Sequence, residues 1–447
     1  MSASYDVIVL GAGPAGEHCA GRLAEGGVRV VIVERELIAG ECSYWACIPS
    51  KTLLRPGEAL SAARQAAVDG GAIDLDEVLA WRDFMVSDYD DSAQERWLAE
   101  AGIDLLRGTG RLSGLGAVDV DGVVHSADHV VLATGSDPVI PPIPGLRGLD
   151  GVWTNREATG FKQLPRRLLV LGAGPVGVEL AQAFRRLGSE VAVIDGAEHV
   201  LAREPAALGG ALGEALAAEG IELHLGRQAS EVRRETDGYA MRLDDGEELR
   251  GDRLLVATGR RPRVRDIGLE AVGVEPGERG GIPVDDRMNA GEGLWAIGDC
   301  TGVWPLTYVG KYQGRVAAAN ILGRHARASY EAVPRVVFTD PQAAAVGEPD
   351  GPVTATVPLS SVPRTATYTR AYAERPGFLT LVSDGERLTG AYALGPEAGE
   401  WLQQATVAIR AQVPLDVLAD VIQPFPTFSE AFLFALLELG ARIPAAA

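Results

Sequence analysis

A chain of 447 residues is longer than one hydrophobic core ordinarily serves, so two to four domains are expected. Its 47% apolar and 23% charged residues read as compact and globular, with no run of about 18 uninterrupted apolar residues to span a membrane. The net charge of −20 argues against nucleic acid, which needs clustered cationic surface. No basic stretch with a cleavage site opens the chain, so a cytoplasmic protein is expected.

The first predicted unit is a strand over Val7–Leu10, the turn Gly11-Ala-Gly13-Pro-Ala-Gly16, a helix through Glu17–Leu23, and a second strand over Val28–Val33 ending at Glu34. This is the pattern of a dinucleotide-binding unit. Gly11 makes the tight turn, Gly13 lets the backbone approach a pyrophosphate, and Gly16 lets the helix pack on the strand. The helix N-terminus then faces the phosphates, and Glu34 accepts from the adenosine ribose.

Next come Cys42 and Cys47, in ECSYWACIPSK, with Lys51 closing the segment. On an ideal helix, residues five apart have Cα atoms about 8.6 Å apart. A disulfide needs about 4.4–6.8 Å. Joining the pair therefore requires a distorted first turn, then Pro49 and a helix beginning near Ser50. Two unrelated core thiols would suit most cytosolic chains. This pair, however, lies just beyond Glu34, at the carboxyl ends of the strands where ligands of such folds bind, and a helix N-terminus with Lys51 favours the thiolate.

An apolar run ending in Ala133-Thr134-Gly135 closes the first half, with Gly135 letting the chain pass near the ligand; Pro138–Pro144 reads as a linker. The pattern then repeats: Leu168–Leu171, Gly172-Ala-Gly174-Pro-Val-Gly177, a helix to about Leu187, and Val191–Ile194 ending at Asp195. In both copies the first glycine precedes the acid by 23 positions, and the second copy also closes in Ala257-Thr258-Gly259. Asp195 accepts from a 2′-hydroxyl and repels a 2′-phosphate. It is followed by Gly196, Ala197, Glu198 and His199 rather than arginines, so NADH is expected rather than NADPH. Leu294 opens a strand that ends in an acidic turn at Gly298-Asp299. From about Val333, β-like segments such as Arg335–Phe338 and Gly377–Val382 precede a helix-rich tail, a third, α+β domain without a nucleotide fingerprint.

Together GAGPAG, Cys42-SYWA-Cys47-Ile-Pro-Ser-Lys51, GAGPVGVELA, ATGRRP, AIGDC, LTYVGKYQGRVAAANILG and VVFTDPQAAAVG resemble the class I pyridine nucleotide–disulfide oxidoreductase family. The resemblance covers essentially the whole chain; the family includes dihydrolipoamide dehydrogenase, glutathione and mycothione reductases, mercuric reductase and soluble transhydrogenase. It implies an α/β fold of two Rossmann-like dinucleotide-binding domains and a C-terminal α+β dimerisation domain. FAD is expected on residues 1–150 and 283–330, NAD(P)H on 151–282, and a homodimer interface on 331–447. By the same resemblance Cys47 is the charge-transfer thiol and Cys42 the interchange thiol. Lys51 lies near the flavin N5 edge, Glu179 pairs with it, and Asp299 holds the ribityl chain. Cys19 and Cys300 are expected as core thiols, and no resident metal is expected.

One family feature is missing. Disulfide-reducing members carry a C-terminal histidine, paired with a glutamate, as general acid and base. Here the segment reads Gln423-Pro-Phe425-Pro-Thr427-Phe-Ser-Glu430, so Phe425 holds the histidine's place while Glu430 keeps the glutamate's; the last histidine is His325. Tyr44, Trp45 and Ala46 between the cysteines, with Phe425 and Phe428, are expected to make the mouth aromatic. The function expected is electron transfer from NAD(P)H through FAD and the Cys42–Cys47 disulfide to a disulfide or thiol-reactive substrate other than lipoamide. Reduction of a quinone, metal or second nicotinamide with auxiliary cysteines is one alternative. A flavin-bearing redox sensor or binding protein is another.

Overall fold

The computed structural model describes residues 4–369 and 377–443. These fold as two compact units, one built from the segments up to Pro49, Ala80–Val139 and Gly259–Ser329, the other from Ser50–Leu79, Ile140–Thr258 and Tyr330 onward. Of the dimerisation domain expected over 331–447, residues 370–376 and 444–447 lie outside the described residues.

The first unit is organised by a sheet whose central strands run parallel, in the order Leu294–Ala296, Val123–Leu132, Ser4–Leu10, Val30–Glu34 and Asp104–Arg107. Val7, Ile8, Val9, Val31 and Ile32 are wholly buried. Continuous apolar runs are what a parallel sheet covered on both faces requires. Helices Pro14–Glu25 and Thr307–Ile321 pack against each other. The segment 259–282 was expected with the second nucleotide domain. Instead Val264, Ile267, Leu269, Val272, Val274 and Ile282 join the apolar core of the first sheet, and Arg260–Pro262 pairs antiparallel with Ser136–Pro138.

The second unit holds a four-stranded parallel sheet, ordered Glu222–Leu225, Glu190–Asp195, Arg167–Leu171 and Arg253–Val256, and a three-stranded antiparallel sheet over Ala229–Gly251. A five-stranded antiparallel sheet follows, ordered Arg335–Val337, Gln342–Gly347, Leu388–Gly395, Phe378–Ser383 and Val353–Pro358, with helix Glu430–Arg442 packed on it. Leu53, Leu54 and Val78, expected with the first domain, pack instead in this unit's core with Leu168, Val170 and Phe184.

Both glycine turns obey one steric rule. A Cβ on Gly16 would stand 2.0 Å from the carbonyl oxygen of Gly11, and one on Gly177 would stand 1.9 Å from that of Gly172. At Gly13 and Gly174 a Cβ would meet nothing within 4 Å. The first pair is required by packing; the second faces the space where a ligand must come close. Gly16→Ala and Gly177→Ala should therefore lower the melting temperature by about 5 °C or more, or prevent folding. Gly13→Ala and Gly174→Ala should leave the ligand-free melt nearly unchanged while weakening dinucleotide binding about tenfold or more, as differential scanning fluorimetry and fluorescence titration would show.

Candidate functional site

Each glycine turn is clamped by the acid at the end of the next strand. Glu34 accepts from the backbone N–H of Ala12 and of Glu36, both at 2.8 Å. Asp195 does the same in the second unit, accepting from Ala173 at 2.7 Å and from Ala197 at 2.9 Å. The helices that follow, Pro14–Glu25 and Pro175–Leu187, begin at Gly13 and Gly174 with no side-chain cap. Their first N–H groups are thus suited to an anion such as a pyrophosphate. Open space beyond Gly13, Gly135, Gly174 and Gly259 completes a donor set that fits two dinucleotides. Asp299, in the short turn Gly298–Thr301, accepts from Ser136 Oγ at 2.6 Å.

The first turn also seats the cysteines. Ala39 N donates to Ala12 O at 2.8 Å, and Gly40 packs so closely on Gly13 that a Cβ would stand 2.9 Å from its Cα. A short helix, Gly40–Trp45, starts there and carries Cys42. It stops at Ala46, whose φ of −134° and ψ of −99° leave the helical region, and the next helix begins at once with Cys47. The expected distortion is this one-residue break, and the second helix starts three residues before Ser50. The two sulfurs are unbonded. Thr307, the first residue of the helix Thr307–Ile321, donates its hydroxyl to Cys42 Sγ at 3.2 Å and lies 3.5 Å from Cys47 Sγ. A hydrogen bond to Cys47, and then burial, push the Cys42 thiol well above the ordinary range, while Thr307 opposes the rise. Of the pair, Cys42 is thus the thiol that holds its proton more tightly than a free cysteine. Thr307 was not singled out from the sequence although it lies in the motif LTYVGKYQGRVAAANILG; it stands 260 residues from Cys47.

In the second unit Lys51 Nζ pairs with Glu179 Oε2 at 2.6 Å and lies 4.8 Å from the centre of the Phe338 ring. The other oxygen of Glu179 accepts from Phe338 N at 2.8 Å. One face of the helix Pro175–Leu187 continues the contact: Gln182 exchanges two 2.8 Å hydrogen bonds with the backbone of Asp340, and Arg186 reaches its carboxylate at 2.9 Å. A buried carboxylate is tolerated when hydrogen-bonded and paired, and Glu179 is both.

Two of the residues expected to make the mouth aromatic, Phe428 and Tyr44, are buried in apolar clusters. Phe425 is 73% exposed, but Phe428 is buried among Trp401, Phe432 and Tyr368. Tyr44 is buried as well, in a small cluster with Ala39, Val86, Trp45 and Tyr89. Phe428 and Tyr44 are core residues because the apolar surroundings of each cover the ring. Glu430 opens the last helix and accepts from Thr427 N at 3.3 Å. Cys19 and Cys300 are wholly buried, and burial pushes their thiols up to about 12 and about 11.

Two parallel sheets, each with a glycine-turn dinucleotide cradle, one of which seats a cysteine pair, define a flavoprotein disulfide reductase. Residues 5–314 match the family described as pyridine nucleotide-disulphide oxidoreductase, and residues 333–435 its dimerisation domain. The chain belongs to that family, whose members use FAD and NAD(P)H. It is 37% identical to a mercuric reductase of Acidithiobacillus ferrooxidans, over 96% of this chain and 81% of that protein. It is 36% identical to a dihydrolipoyl dehydrogenase of Thermus scotoductus, over 97% and 96%. Among solved structures it resembles the HOCl-induced flavoprotein disulfide reductase RclA of Escherichia coli in its Cu(II) complex, with a TM-score of 0.87, 25% identity, and 98% of this chain and 100% of that one covered. LpdA of Mycobacterium tuberculosis gives a TM-score of 0.85 at 28% identity, over 97% and 99%. The chain is an NAD(P)H-dependent flavoprotein disulfide oxidoreductase.

Two tests follow from these contacts. Thr307→Val should move the pH profile of Cys42 alkylation by iodoacetamide, in NADH-reduced protein, upward by about half a unit to one unit, because a donor to the thiolate is lost; Thr307→Ser should restore it. Glu17, not singled out from the sequence, has its carboxyl pushed up to about 7 by burial, with Lys311 opposing and Glu34 adding. Its folded form binds the proton more tightly than the unfolded one. Its contribution to stability is therefore complete below about 4.5 and lost as pH rises through about 7. Urea midpoints measured from pH 4.5 to 8 should fall less steeply in Glu17→Gln.

Proposed function

We propose that this enzyme takes electrons from NADH and delivers them through Cys47 and Cys42 to a disulfide or other thiol-reactive substrate, by a route that needs no histidine acid or base. The observation that carries this is the sulfur pair bridged by the Thr307 hydroxyl, combined with Phe425 in the place of a proton-transferring side chain. Gly11, Gly13, Gly16, Glu34, Gly135 and Asp299 would hold FAD. Gly172, Gly174, Gly177 and Asp195 would serve the nicotinamide dinucleotide. Bound FAD supplies the exchange of an electron pair between nicotinamide and the cysteines. The carboxylate of Asp195, with no arginine in the four residues after it, supports NADH over NADPH. The dimerisation-domain match and exposed Ile422, Phe425 and Leu437 support a homodimer.

The chemistry balances without a base. The Cys42–Cys47 disulfide takes two electrons and one proton, leaving Cys42 a thiol and Cys47 a thiolate, and Cys42 gives its proton to solvent before it reacts. Cys42, on losing its proton, attacks a substrate disulfide, forming a mixed disulfide and expelling one substrate thiolate. Cys47 then attacks Cys42, restoring the internal disulfide and releasing the second thiolate. Both leaving thiolates take protons from solvent, which favours substrates whose thiols are acidic. A two-coordinate thiophilic cation is the second reading, favoured by the paired sulfurs. Among the described residues no group of three or more His, Cys, Asp or Glu side chains is arranged for a fuller metal shell.

Anaerobic NADH titration should raise a long-wavelength thiolate–flavin charge-transfer band, lost in Cys47→Ser. Plain bleaching without that band would remove the cysteines from the main path. Cys42→Ser should abolish turnover of aromatic disulfides; survival of quinone turnover alone would favour a quinone reductase. Lipoamide turnover should be slow and should rise about tenfold or more in Phe425→His, and ordinary lipoamide turnover by the unaltered enzyme would refute this assignment of Phe425.

A further inference from the structure

One arginine stands where three parts of the first unit meet. Arg260 lies on the strand Arg260–Pro262, immediately after Gly259. Its Nε donates to Ser136 Oγ and its Nη2 to Ser136 O, both at 2.8 Å. Ser136 is buried and passes its own proton to Asp299 Oδ2 at 2.6 Å. The remaining nitrogen, Nη1, lies 3.5 Å from Glu41 Oε1, and Glu41 precedes Cys42 in the first turn of the short cysteine helix. Both Arg260 and Glu41 side chains are 23% exposed, so the pair is only partly screened by solvent. A planar guanidinium can serve these directions at once because its donors lie in a fixed fork.

We propose that Arg260 is a two-armed positioning residue: through Ser136 it sets the carboxylate of Asp299, and through Glu41 it tethers the helix that carries Cys42. The first arm rests on the assignment of Asp299 to the flavin; the second does not. In the Ser136 arm the hydroxyl cannot rotate freely, since its oxygen is occupied by Arg260 and its proton is committed to Asp299. In the Glu41 arm the ion pair anchors one end of a six-residue helix whose other end is the Ala46 break. Helices this short are not stable alone and depend on such outside contacts. The turn that carries Asp299 and the helix that carries Cys42 are thereby held by one side chain.

The arms can be separated with the FAD-loaded, full-length enzyme by measuring FAD release on dilution and the rate of Cys42 alkylation at fixed pH after NADH reduction. Ser136→Ala should weaken FAD binding about fivefold to tenfold, the size of one lost hydrogen bond to a charged group, and leave alkylation within twofold. Glu41→Gln should do the reverse, speeding alkylation about threefold or more as the tether loosens. Arg260→Gln should show both effects. Arg260→Lys should rescue alkylation, since an ammonium can still pair with Glu41, but not FAD retention, since it cannot reproduce the two contacts to Ser136. That split is one a general loss of packing would not produce. Unchanged readouts in Arg260→Gln would overturn the proposal, as would parallel loss of both readouts with melting temperature in every variant. Failure of the unaltered protein to bind FAD would instead refute the functional assignment and the Ser136 arm with it, leaving the Glu41 arm to be judged by alkylation alone.

Discussion

Everything catalytic in the first unit hangs from a carbonyl oxygen that leaves no room for a side chain. The Gly11 carbonyl lies 2.0 Å from where a Cβ of residue 16 would be, so helix Pro14–Glu25 can sit directly on its turn. That turn is then fixed from behind by Glu34 through the N–H of Ala12. The carbonyl of Ala12 in turn receives Ala39 N, and Gly13 receives Gly40, so the cysteine helix starts from the same few atoms. A disturbance at the glycine turn is therefore a disturbance at Cys42. The second unit repeats the steric rule and the clamp with Gly172, Gly177 and Asp195, and has no cysteine segment attached.

The cysteine pair illustrates how a small backbone event decides chemistry. A continuous helix would hold Cys42 and Cys47 about 8.6 Å apart. The single non-helical residue Ala46 redirects the chain, and one hydroxyl, from Thr307, then reaches both sulfurs. The environment does not activate Cys42 in advance: its hydrogen bond to Cys47 and its burial favour the protonated thiol. An enzyme with a histidine opposite could remove that proton. Phenylalanine, which holds that histidine's place in the sequence at Phe425, cannot.

The second unit holds the buried carboxylate of Glu179 with comparable economy. Glu179, Gln182 and Arg186 lie three, then four, residues apart, which is the spacing of one helix face. All three hold the segment Phe338–Asp340 at the end of strand Arg335–Val337. Glu179 is therefore part of a packed seam as well as the partner of Lys51. Its burial is compensated on both oxygens, and the Phe338 ring carries the cation from the other side.

The two glycine fingerprints, their acids 23 residues on, the cysteine pair and the missing histidine were legible in the sequence because each is local: turn sterics, strand length and side-chain chemistry act within one short segment. Glu34 and Asp195 were recognisable for the same reason, although only the fold shows that their oxygens hold the turns as well. What the tertiary structure alone decided depends on contacts between distant segments. Thr307 meets the sulfurs across some 260 residues, and Arg260 meets Ser136 across 124. The segment 259–282 joins the first sheet because its apolar residues find their core there, and Phe428 and Tyr44 turn inward for the same cause. No pattern of neighbours along the chain encodes such meetings; they arise when burial of apolar surface brings separate elements together and the polar groups on them must then find partners.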